Sequence, residues 1–405
     1  MTQAVTRKPP GFFSKTNTNT HDTKRIFGLD LLRSVAIVLV LLTHTISFLD
    51  PQNHYFKIPV YTGYFGVEFF FVLSGFLIGT ILLKLQHQED QIDFKSIKIF
   101  WIRRWFRTLP NFYLMFAVYA ALAYFSHHIN VFAQLKYLAY LVFLQNSVTY
   151  QPNDFFQVAW SLSIEEWFYL TFPVLLFVFT KIFSKNRSFP FLATIMTIIV
   201  VELGIRFYVA IAHHHYWDEG FRKMMPLRLD SIAIGVLAAY VKFTNPAFWN
   251  AHIKMLAIFG ACLLAGLTIY FSIDYVQYFN PVTWDHASNP GIFLETVFFT
   301  LLSFSIAALI PFLSNLEMRE GLVKRSVTLL SEISYSIYLS HLFVILALSR
   351  VFKHLAGVSY ANVLLFAAIW IVTIILSTLQ YRYFEVKMTA LRNRFGRKQD
   401  AIKIS

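Results

Sequence analysis

Residues 29–44 read LDLLRSVAIVLVLLTH, an almost wholly apolar run that holds one arginine, Arg33, and one histidine, His44. At about 100° per residue, this spacing places both side chains on one face of a helix, about 16 Å apart. Ionisable groups inside a membrane span are costly and usually face a cavity or the bundle interior, so they indicate function. On this segment alone, an alternative of equal weight is that Arg33 reaches the membrane interface and His44 hydrogen-bonds a neighbouring helix.

The rest of the chain repeats this apolar pattern. Of its 405 residues, 57% are hydrophobic and 14% are charged, and the apolar residues come in continuous runs separated by short polar stretches. Runs of about twenty apolar residues are typical of helices that cross a membrane. We therefore predict an all-α fold, a polytopic transmembrane helical bundle of about ten spans. The predicted spans are residues 28–48, 64–85, 111–126, 158–180, 190–212, 229–243, 255–273, 291–313, 333–352 and 361–382. The segment 137–144 is too short to cross and is expected to be re-entrant or interfacial.

The net charge of +13 is distributed unevenly between the two predicted sides of the membrane. If both termini are cytoplasmic, 26 of the 35 Lys and Arg residues lie in cytoplasmic stretches and seven lie in outer loops. Basic residues close to membrane spans favour the cytoplasmic side. The distribution therefore predicts that both termini are cytoplasmic, and that the positive charge serves membrane orientation rather than binding to nucleic acid.

Three regions are predicted along the chain. Residues 1–25 are polar and lack a hydrophobic core with a cleavage site, which favours a disordered cytoplasmic tail over a signal peptide. Residues 26–388 are predicted to form the membrane-embedded domain, and residues 389–405 a basic cytoplasmic tail. The single cysteine, Cys262, excludes an internal disulfide and a thiolate metal site. The histidine run at 213–215 has no accompanying acid or cysteine motif, so no metal is expected.

A dense basic patch precedes the third predicted span. Arg103, Arg104 and Arg107 would lie on adjacent faces of a helix, shortly before Pro110. Guanidinium groups suit phosphate oxygens, so the patch is a candidate site for a donor that carries pyrophosphate on the cytoplasmic side. The alternative is that the patch only orients the protein in the membrane and binds anionic lipids.

Two adjacent carboxylates, Glu165 and Glu166, lie near the start of the fourth predicted span, within the sequence WSLSIEEWFY. Two acids at the outer end of an apolar helix are costly unless they are used or capped. A structural alternative is that Ser161 or Ser163 caps the helix and the acids complement its dipole. That alternative accounts for one acid and leaves the other for function.

Polar residues also mark two later spans. In the ninth, Ser334, Tyr338 and His341 follow each other at positions i, i+4 and i+7, which makes one polar stripe and indicates a wet cavity. A lone intramembrane histidine often does no more than hydrogen-bond a neighbouring helix. At the start of the sixth span, Arg228 and Asp230 are expected to form a local ion pair with a structural role.

Taken together, these motifs resemble the acyltransferase-3 family, integral-membrane enzymes that O-acylate extracytoplasmic glycans and other cell-surface molecules. The matching segments occur in the family's order and span most of residues 25–385. They are Arg33-x10-His44, Gly66-Val67-x3-Phe71-Val72-Leu73-Ser74-Gly75, Arg103-Arg104-x2-Arg107-x2-Pro110, Trp160-Ser161-Leu162-Ser163-x-Glu165, Arg228-x-Asp230-x4-Gly235 and Ser334-Tyr335-x-Ile337-Tyr338-Leu339-x-His341. Each segment is weak alone, whereas six in order are specific to the family, though not to a substrate.

The resemblance implies roles for these residues. Arg33 and His44 are the essential pair of the first span, and Arg103, Arg104 and Arg107 contact acyl-CoA. His44 is expected to act either as a general base or as a covalent carrier of the acyl group, and Arg33 to bind the donor or stabilise an oxyanion.

Glu165 and His341 match further polar positions of the family and complete the candidate catalytic set. The expected reaction moves an acyl group, most simply acetyl, from cytoplasmic acyl-CoA to a hydroxyl of an extracytoplasmic or lipid-linked glycan at the bacterial inner membrane. Some family members carry an additional esterase-like domain. Because this chain ends at residue 405 with a short basic tail, the acyl group is expected to pass straight to its acceptor.

Two other classes of function compete with this interpretation. In a proton-coupled transporter or flippase, intramembrane His, Glu and Arg residues would form a proton relay. In a lipid-binding scaffold, the basic patches would hold anionic headgroups. Release of free thiol from acetyl-CoA by the purified protein distinguishes the enzyme from both alternatives.

Overall fold

The apolar runs of the sequence fold into helices, because a helix satisfies its own backbone hydrogen bonds where no water is available. The computed structural model describes residues 25–49, 57–88, 93–148, 151, 155–183, 188–212, 217–280, 285–286, 291–352 and 360–394. Its α-helices are α1 (Phe27–Thr45), α2 (Lys57–Gln88), α3 (Phe94–His127), α4 (Leu135–Leu138), α5 (Ala159–Ile182), α6 (Phe189–Ala212), α7 (Leu229–Thr244), α8 (Pro246–Ala251), α9 (Ile253–Tyr278), α10 (Ile292–Glu295), α11 (Val297–Ser314), α12 (Leu322–Phe352), α13 (Ala361–Gln380) and α14 (Val386–Leu391). Two strands of two residues each, β1 (Phe279–Asn280) and β2 (Asp285–His286), pair antiparallel. The predicted all-α helical bundle is confirmed.

Nine helices in the described part of the chain are long and apolar enough to cross a membrane. The predicted span at 229–243 corresponds to α7, which has only 16 residues. Its length of about 24 Å falls short of the roughly 30 Å of a bilayer core, which a helix needs about 20 residues to cross. A helix enclosed by other helices need not match the bilayer thickness, and most of α7 from Asp230 to Ala239 is buried. The side of the membrane on which each terminus lies stays a prediction.

Helices α2 and α7 pack backbone to backbone through two glycines. A Cβ atom added to Gly75 would lie 1.9 Å from the carbonyl oxygen of Ile232. A Cβ atom added to Gly235 would lie 2.1 Å from the carbonyl oxygen of Val72. Small residues at such crossings allow the close approach on which helix packing in membranes depends. The two glycines therefore fix α7 against α2 at the centre of the bundle.

The predicted local ion pair between Arg228 and Asp230 is wrong. Arg228 instead forms an ion pair with Glu68 of α2, and Asp230 pairs with Arg206 of α6 at 2.6 Å. Asp230 also accepts a hydrogen bond of 2.7 Å from Thr300 of α11. Positions i and i+2 of a helix do not face each other, so each charge finds its partner on another helix. The two ion pairs tie the start of α7 to α2 and α6, and the hydrogen bond from Thr300 ties it to α11.

Helix α3 is longer than predicted and contains the basic patch. It begins at Phe94, where Asp93 caps it by accepting a 2.7 Å hydrogen bond from the backbone N–H of Ser96. It continues through Pro110 to His127. Residues 94–110, which precede the third predicted span, are therefore helical, and the arginines belong to the same helix as that span.

The remaining predictions concern a short segment, the two tails, the histidine run and the cysteine. The segment 137–144 forms no spanning helix, as predicted, because Phe143 has a left-handed backbone (φ 58°) after a short 3₁₀ turn. Residues 1–24, 395–405 and the histidine run at 213–215 lie outside the described residues, so the predicted tails stay predictions. Cys262 is exposed on α9.

Candidate functional site

A cavity of about 100 Å³ lies between α1, α2, α3, α5 and α12. Its wall is mostly apolar along α2, apart from Ser74, and mostly polar elsewhere, apart from Leu162 of α5. The polar lining residues are Arg33, Ser74, Arg104, Arg107, Thr108, Ser161, Glu165, Ser334, Tyr335 and Tyr338. A volume of this size holds several water molecules or a small organic group. The polar stripe predicted on the ninth span, now α12, contributes Ser334 and Tyr338 to this cavity.

Four of the seven predicted site residues meet at the cavity, namely Arg33, Arg104, Arg107 and Glu165. Arg107 is exposed, whereas Arg33 and Arg104 are partly buried. Arg103, one of the predicted contacts to acyl-CoA, is partly buried and does not line the cavity. The remaining two residues, His44 and His341, lie beside the cavity rather than in its wall.

Arg104 is held in place by a polar cluster that joins three helices. One guanidinium nitrogen donates a 2.5 Å hydrogen bond to the hydroxyl of Tyr169, and the guanidinium carbon lies 4.3 Å from the centre of the Tyr169 ring. The hydroxyls of Ser74 and Tyr169 share a hydrogen bond of 2.6 Å. The donor-binding candidates therefore differ, because Arg104 is positioned by the protein and Arg107 is open to a ligand.

The two adjacent glutamates have different surroundings because successive helical positions differ by about 100°. Glu165 is partly buried and lines the cavity. Glu166 is buried, and its Oε1 accepts a 2.7 Å hydrogen bond from the hydroxyl of Thr108. The backbone carbonyl of Thr108 accepts a further hydrogen bond of 2.8 Å from Tyr335. Glu166 therefore connects α5 to α3, while Glu165 faces the space where chemistry is possible.

The two histidines form a pair beside the cavity. Their ring centroids are 5.0 Å apart, and the rings meet edge to face at 63°. His44 Nδ1 lies 2.8 Å from the carbonyl oxygen of Val40, and His341 Nδ1 lies 2.8 Å from that of Tyr338. A carbonyl oxygen only accepts, so each Nδ1 carries the hydrogen and each neutral ring keeps a lone pair on Nε2. Among the residues that the structure describes, His341 Nε2 is buried without a hydrogen-bond partner.

Tyr338 connects the cavity to the histidine pair. Its ring centroid lies 6.0 Å from that of His341, and its hydroxyl shares a 2.6 Å hydrogen bond with Ser161.

Neither serine near the start of α5 caps that helix. The hydroxyl of Ser163 donates to the carbonyl of Phe143 at 2.6 Å. Helix α5 begins at Ala159 without a side-chain cap. The interpretation of Ser161 or Ser163 as a helix cap is therefore wrong, because both hydroxyls bind other parts of the bundle.

A further buried cation, Arg222, lies near this region. Arg222, in the π-helical turn Trp217–Arg222, stacks against the rings of Tyr64 at 4.4 Å and Trp160 at 4.5 Å. It forms an ion pair with Asp218, which Lys223 also contacts at 2.5 Å. Burial disfavours the charged carboxylate, but the two cations outweigh it and hold the pKa of Asp218 below its ordinary value. No sequence pattern marked this group of residues.

Comparison with known proteins gives the family. The model of the family described as "Acyltransferase domain" matches residues 26–382. The chain belongs to this acyltransferase family. The resemblance drawn from the six sequence motifs is thereby confirmed, and the site described above lies within the matched acyltransferase domain. No solved structure matches the chain.

Curated relatives agree with the family. The peptidoglycan O-acetyltransferase of Listeria monocytogenes is 32% identical over 200 residues, which is 46% of this chain and 29% of the relative. A provisionally named O-acetyltransferase of Staphylococcus aureus is 26% identical over 372 residues, 88% of this chain and 56% of the relative. A provisionally named peptidoglycan O-acetyltransferase of Bacillus subtilis is 26% identical over 389 residues, 90% of this chain and 55% of the relative. The chain thus spans little more than half the length of these relatives, or less.

Proposed function

We propose that this protein is an integral-membrane O-acyltransferase that moves an acetyl group from acetyl-CoA to a hydroxyl of an extracytoplasmic or lipid-linked glycan. Family membership supports acyl transfer, and the names of the relatives support acetyl as the group and a glycan such as peptidoglycan as the acceptor. The observation that carries the proposal is the histidine pair, which keeps lone pairs on Nε2 beside a cavity lined by Arg33, Arg104, Arg107 and Glu165.

The arginines suit the donor. Phosphate oxygens accept charge-assisted hydrogen bonds from guanidinium groups, and Arg107 is exposed where it lines the cavity. With about 100 Å³ available, the cavity admits the acyl thioester end of acetyl-CoA, and the nucleotide stays outside. Because Arg107 is exposed, we place the entrance to the cavity at this residue. If the termini are cytoplasmic, the entrance faces the cytoplasm, and the acceptor approaches from the other side of the bacterial inner membrane.

In the simplest reaction, Nε2 of His44 takes the proton of the acceptor hydroxyl while the hydroxyl oxygen attacks the thioester carbon. The carbon–sulfur bond breaks, the departing thiolate takes up the proton, and the products are an acetyl ester and free coenzyme A. Arg33 stabilises the oxyanion or binds the donor, and Glu165 orients the imidazole or shuttles its proton. In the two-step alternative, His44 carries the acetyl group as an acyl-imidazole before the acceptor attacks.

Thiol release and product mass test the proposal together. Full-length protein in proteoliposomes is supplied with acetyl-CoA and a glycan acceptor, and free thiol is followed with time. We expect thiol release that depends on the acceptor, and an added acetyl mass on the glycan. A transporter or a lipid-binding scaffold releases no thiol, and that result would refute the proposal. Comparing surface glycans by mass spectrometry, with and without the protein, then identifies the acceptor.

A further inference from the structure

One wall of the cavity comes from a single helix and is apolar except for Ser74. Val67, Phe70, Phe71, Leu73 and Leu77 of α2 line it. The positions 67, 70, 71 and 74 recur with the helical period, so they form one face of α2 directed at the cavity. The guanidinium groups suit the phosphates of a donor, whereas this apolar wall suits a hydrocarbon group such as an acyl chain.

The direction of α2 determines which part of the wall lies near the histidines. Helices α1 and α2 run antiparallel, because Gly66 lies against Ala36 and Val40, and Gly63 lies against Thr43. Moving along α2 from Leu77 to Val67 therefore leads away from the level of Arg33 and towards that of His44.

Phe70 lies at the histidine end of the cavity. Its ring centroid is 6.4 Å from that of Tyr338, and the Tyr338 ring is 6.0 Å from His341. Phe70 is only partly buried. Its neighbour Phe71 is 1% exposed and packs edge-on against Trp160 at 6.1 Å. Phe71 thus belongs to the fixed core, while Phe70 lines the cavity beside Tyr338, the residue that connects the cavity to the histidines.

We propose that Phe70, with Val67 beside it, limits the length of the acyl chain that the enzyme accepts. This inference rests on the proposed acyl transfer from acyl-CoA. A thioester whose phosphates remain at the arginines and whose carbonyl reaches the histidines must direct its acyl chain past the carbonyl, towards Phe70 and Val67. The whole cavity has a volume of about 100 Å³, so each added methylene of a longer acyl chain competes with the thioester for the same limited space.

The test compares acetyl-, propionyl- and butyryl-CoA as donors for the full-length protein, with kcat/KM measured for each. One methylene in a closed pocket changes kcat/KM by about 10–200-fold, so the wild type should prefer acetyl over propionyl by about that factor. In Phe70→Ala that preference should fall about tenfold or more, since the substitution opens space for one or two methylenes. Phe70→Leu should give a smaller fall and guards against misfolding of the alanine variant.

Phe69→Ala is the matched control, because it removes the same ring from α2 at a position that does not line the cavity. The preference should stay at its wild-type value in that variant. The inference is overturned if the wild type uses all three donors equally, if folded Phe70→Ala and Phe70→Leu keep the wild-type preference, or if Phe69→Ala relaxes it as much. A wild type that releases no thiol from any of the three donors overturns the proposed function as well.

Discussion

Backbone carbonyls set the tautomer of both imidazoles in the candidate site. His44 Nδ1 contacts the carbonyl of Val40, four residues earlier. His341 Nδ1 contacts the carbonyls of Ile337 and Tyr338, four and three residues earlier. The helix itself therefore provides the orientation that many enzymes obtain from a separate carboxylate. Of the two roles proposed for Glu165, this favours shuttling of the proton over orientation of the imidazole.

Substitution of His44 tests the residue on which the chemistry depends. His44→Ala should lower acyl transfer by about 10²–10⁴-fold if only general-base catalysis is lost, and by more if the residue carries the acyl group. Membrane insertion should persist, because the first span becomes more apolar. Thiol release and the yield of monodisperse protein are the two measurements.

His341→Ala is the comparison for this prediction. If His341 only supports its neighbour, transfer should fall less than in His44→Ala. A folded His44→Ala protein that acylates at nearly the wild-type rate would contradict the catalytic assignment and favour a transporter.

Arg107 tests the donor site. It lines the cavity and is exposed, so Arg107→Gln should remove a charged hydrogen bond to phosphate worth about 1.5–3 kcal/mol and raise the KM for acetyl-CoA about tenfold or more. Lys98→Gln removes an equal charge from an exposed position of the same helix, away from the cavity, and should leave KM unchanged. Equal effects in the two variants would mean that the patch only orients the protein in the membrane.

The sequence predicted several of the residues that line the cavity, but it did not predict which side chains contact each other. Arg33 and Tyr338 were singled out from helical spacing and Glu165 as one of two adjacent carboxylates, and all three line the cavity. The Ser74–Tyr169 hydrogen bond joins residues 95 positions apart, and no local pattern specifies such a contact. The expected pair of Arg228 with Asp230 failed for the same reason, since tertiary packing supplied each with a partner on another helix.

At the scale of helices, the close crossing of α2 and α7 is a tightly constrained feature of the fold. The crossing brings Gly75 and Gly235 against opposing backbone carbonyls, which do not yield as a flexible side chain does. Since Ser74 belongs to the cavity wall and directly precedes Gly75, a shift of α2 at this crossing also displaces the site.

Gly75→Ala should therefore destabilise the protein by about 1–3 kcal/mol through overpacking, measured as a lower unfolding midpoint in detergent. Gly204→Ala is the control, since a Cβ there would meet nothing within 4 Å. Alanine favours a helix over glycine by about 1 kcal/mol, so that variant should be neutral or slightly more stable. A Gly75→Ala protein as stable as Gly204→Ala would show that the helices can separate without cost.

Helix existence was predictable from hydropathy, and helix ends were less so. Apolar runs marked the nine long helices, because a membrane span needs a stretch of suitable length and little else. The start of α3 at Phe94 was missed, since the polar cap Asp93 and the basic turns after it resemble a loop in a hydropathy pattern. The short α7 was taken for an ordinary span, because composition does not show that a helix is enclosed by others.

For the whole molecule, the number of crossings determines on which side the arginines lie. Nine helices in the described part of the chain are long enough to cross, so the even number that the charge distribution predicts requires α7 to cross as well. A reporter that is active only outside the cytoplasm should be inactive when fused after Lys403. The same reporter after Ser147, in a predicted outer loop, should be active. Activity after Lys403 would contradict the predicted topology.

The position of the chain's only thiol has a practical consequence for such work. Cys262 is exposed on α9, a helix with few buried residues, and no other position needs to be changed to obtain a cysteine-free background. With Cys262→Ser as that background, single probe sites can be introduced one at a time at the cavity mouth and in each loop. Spin labels or fluorophores at such sites would then follow how the entrance near Arg107 responds as donor and acceptor bind.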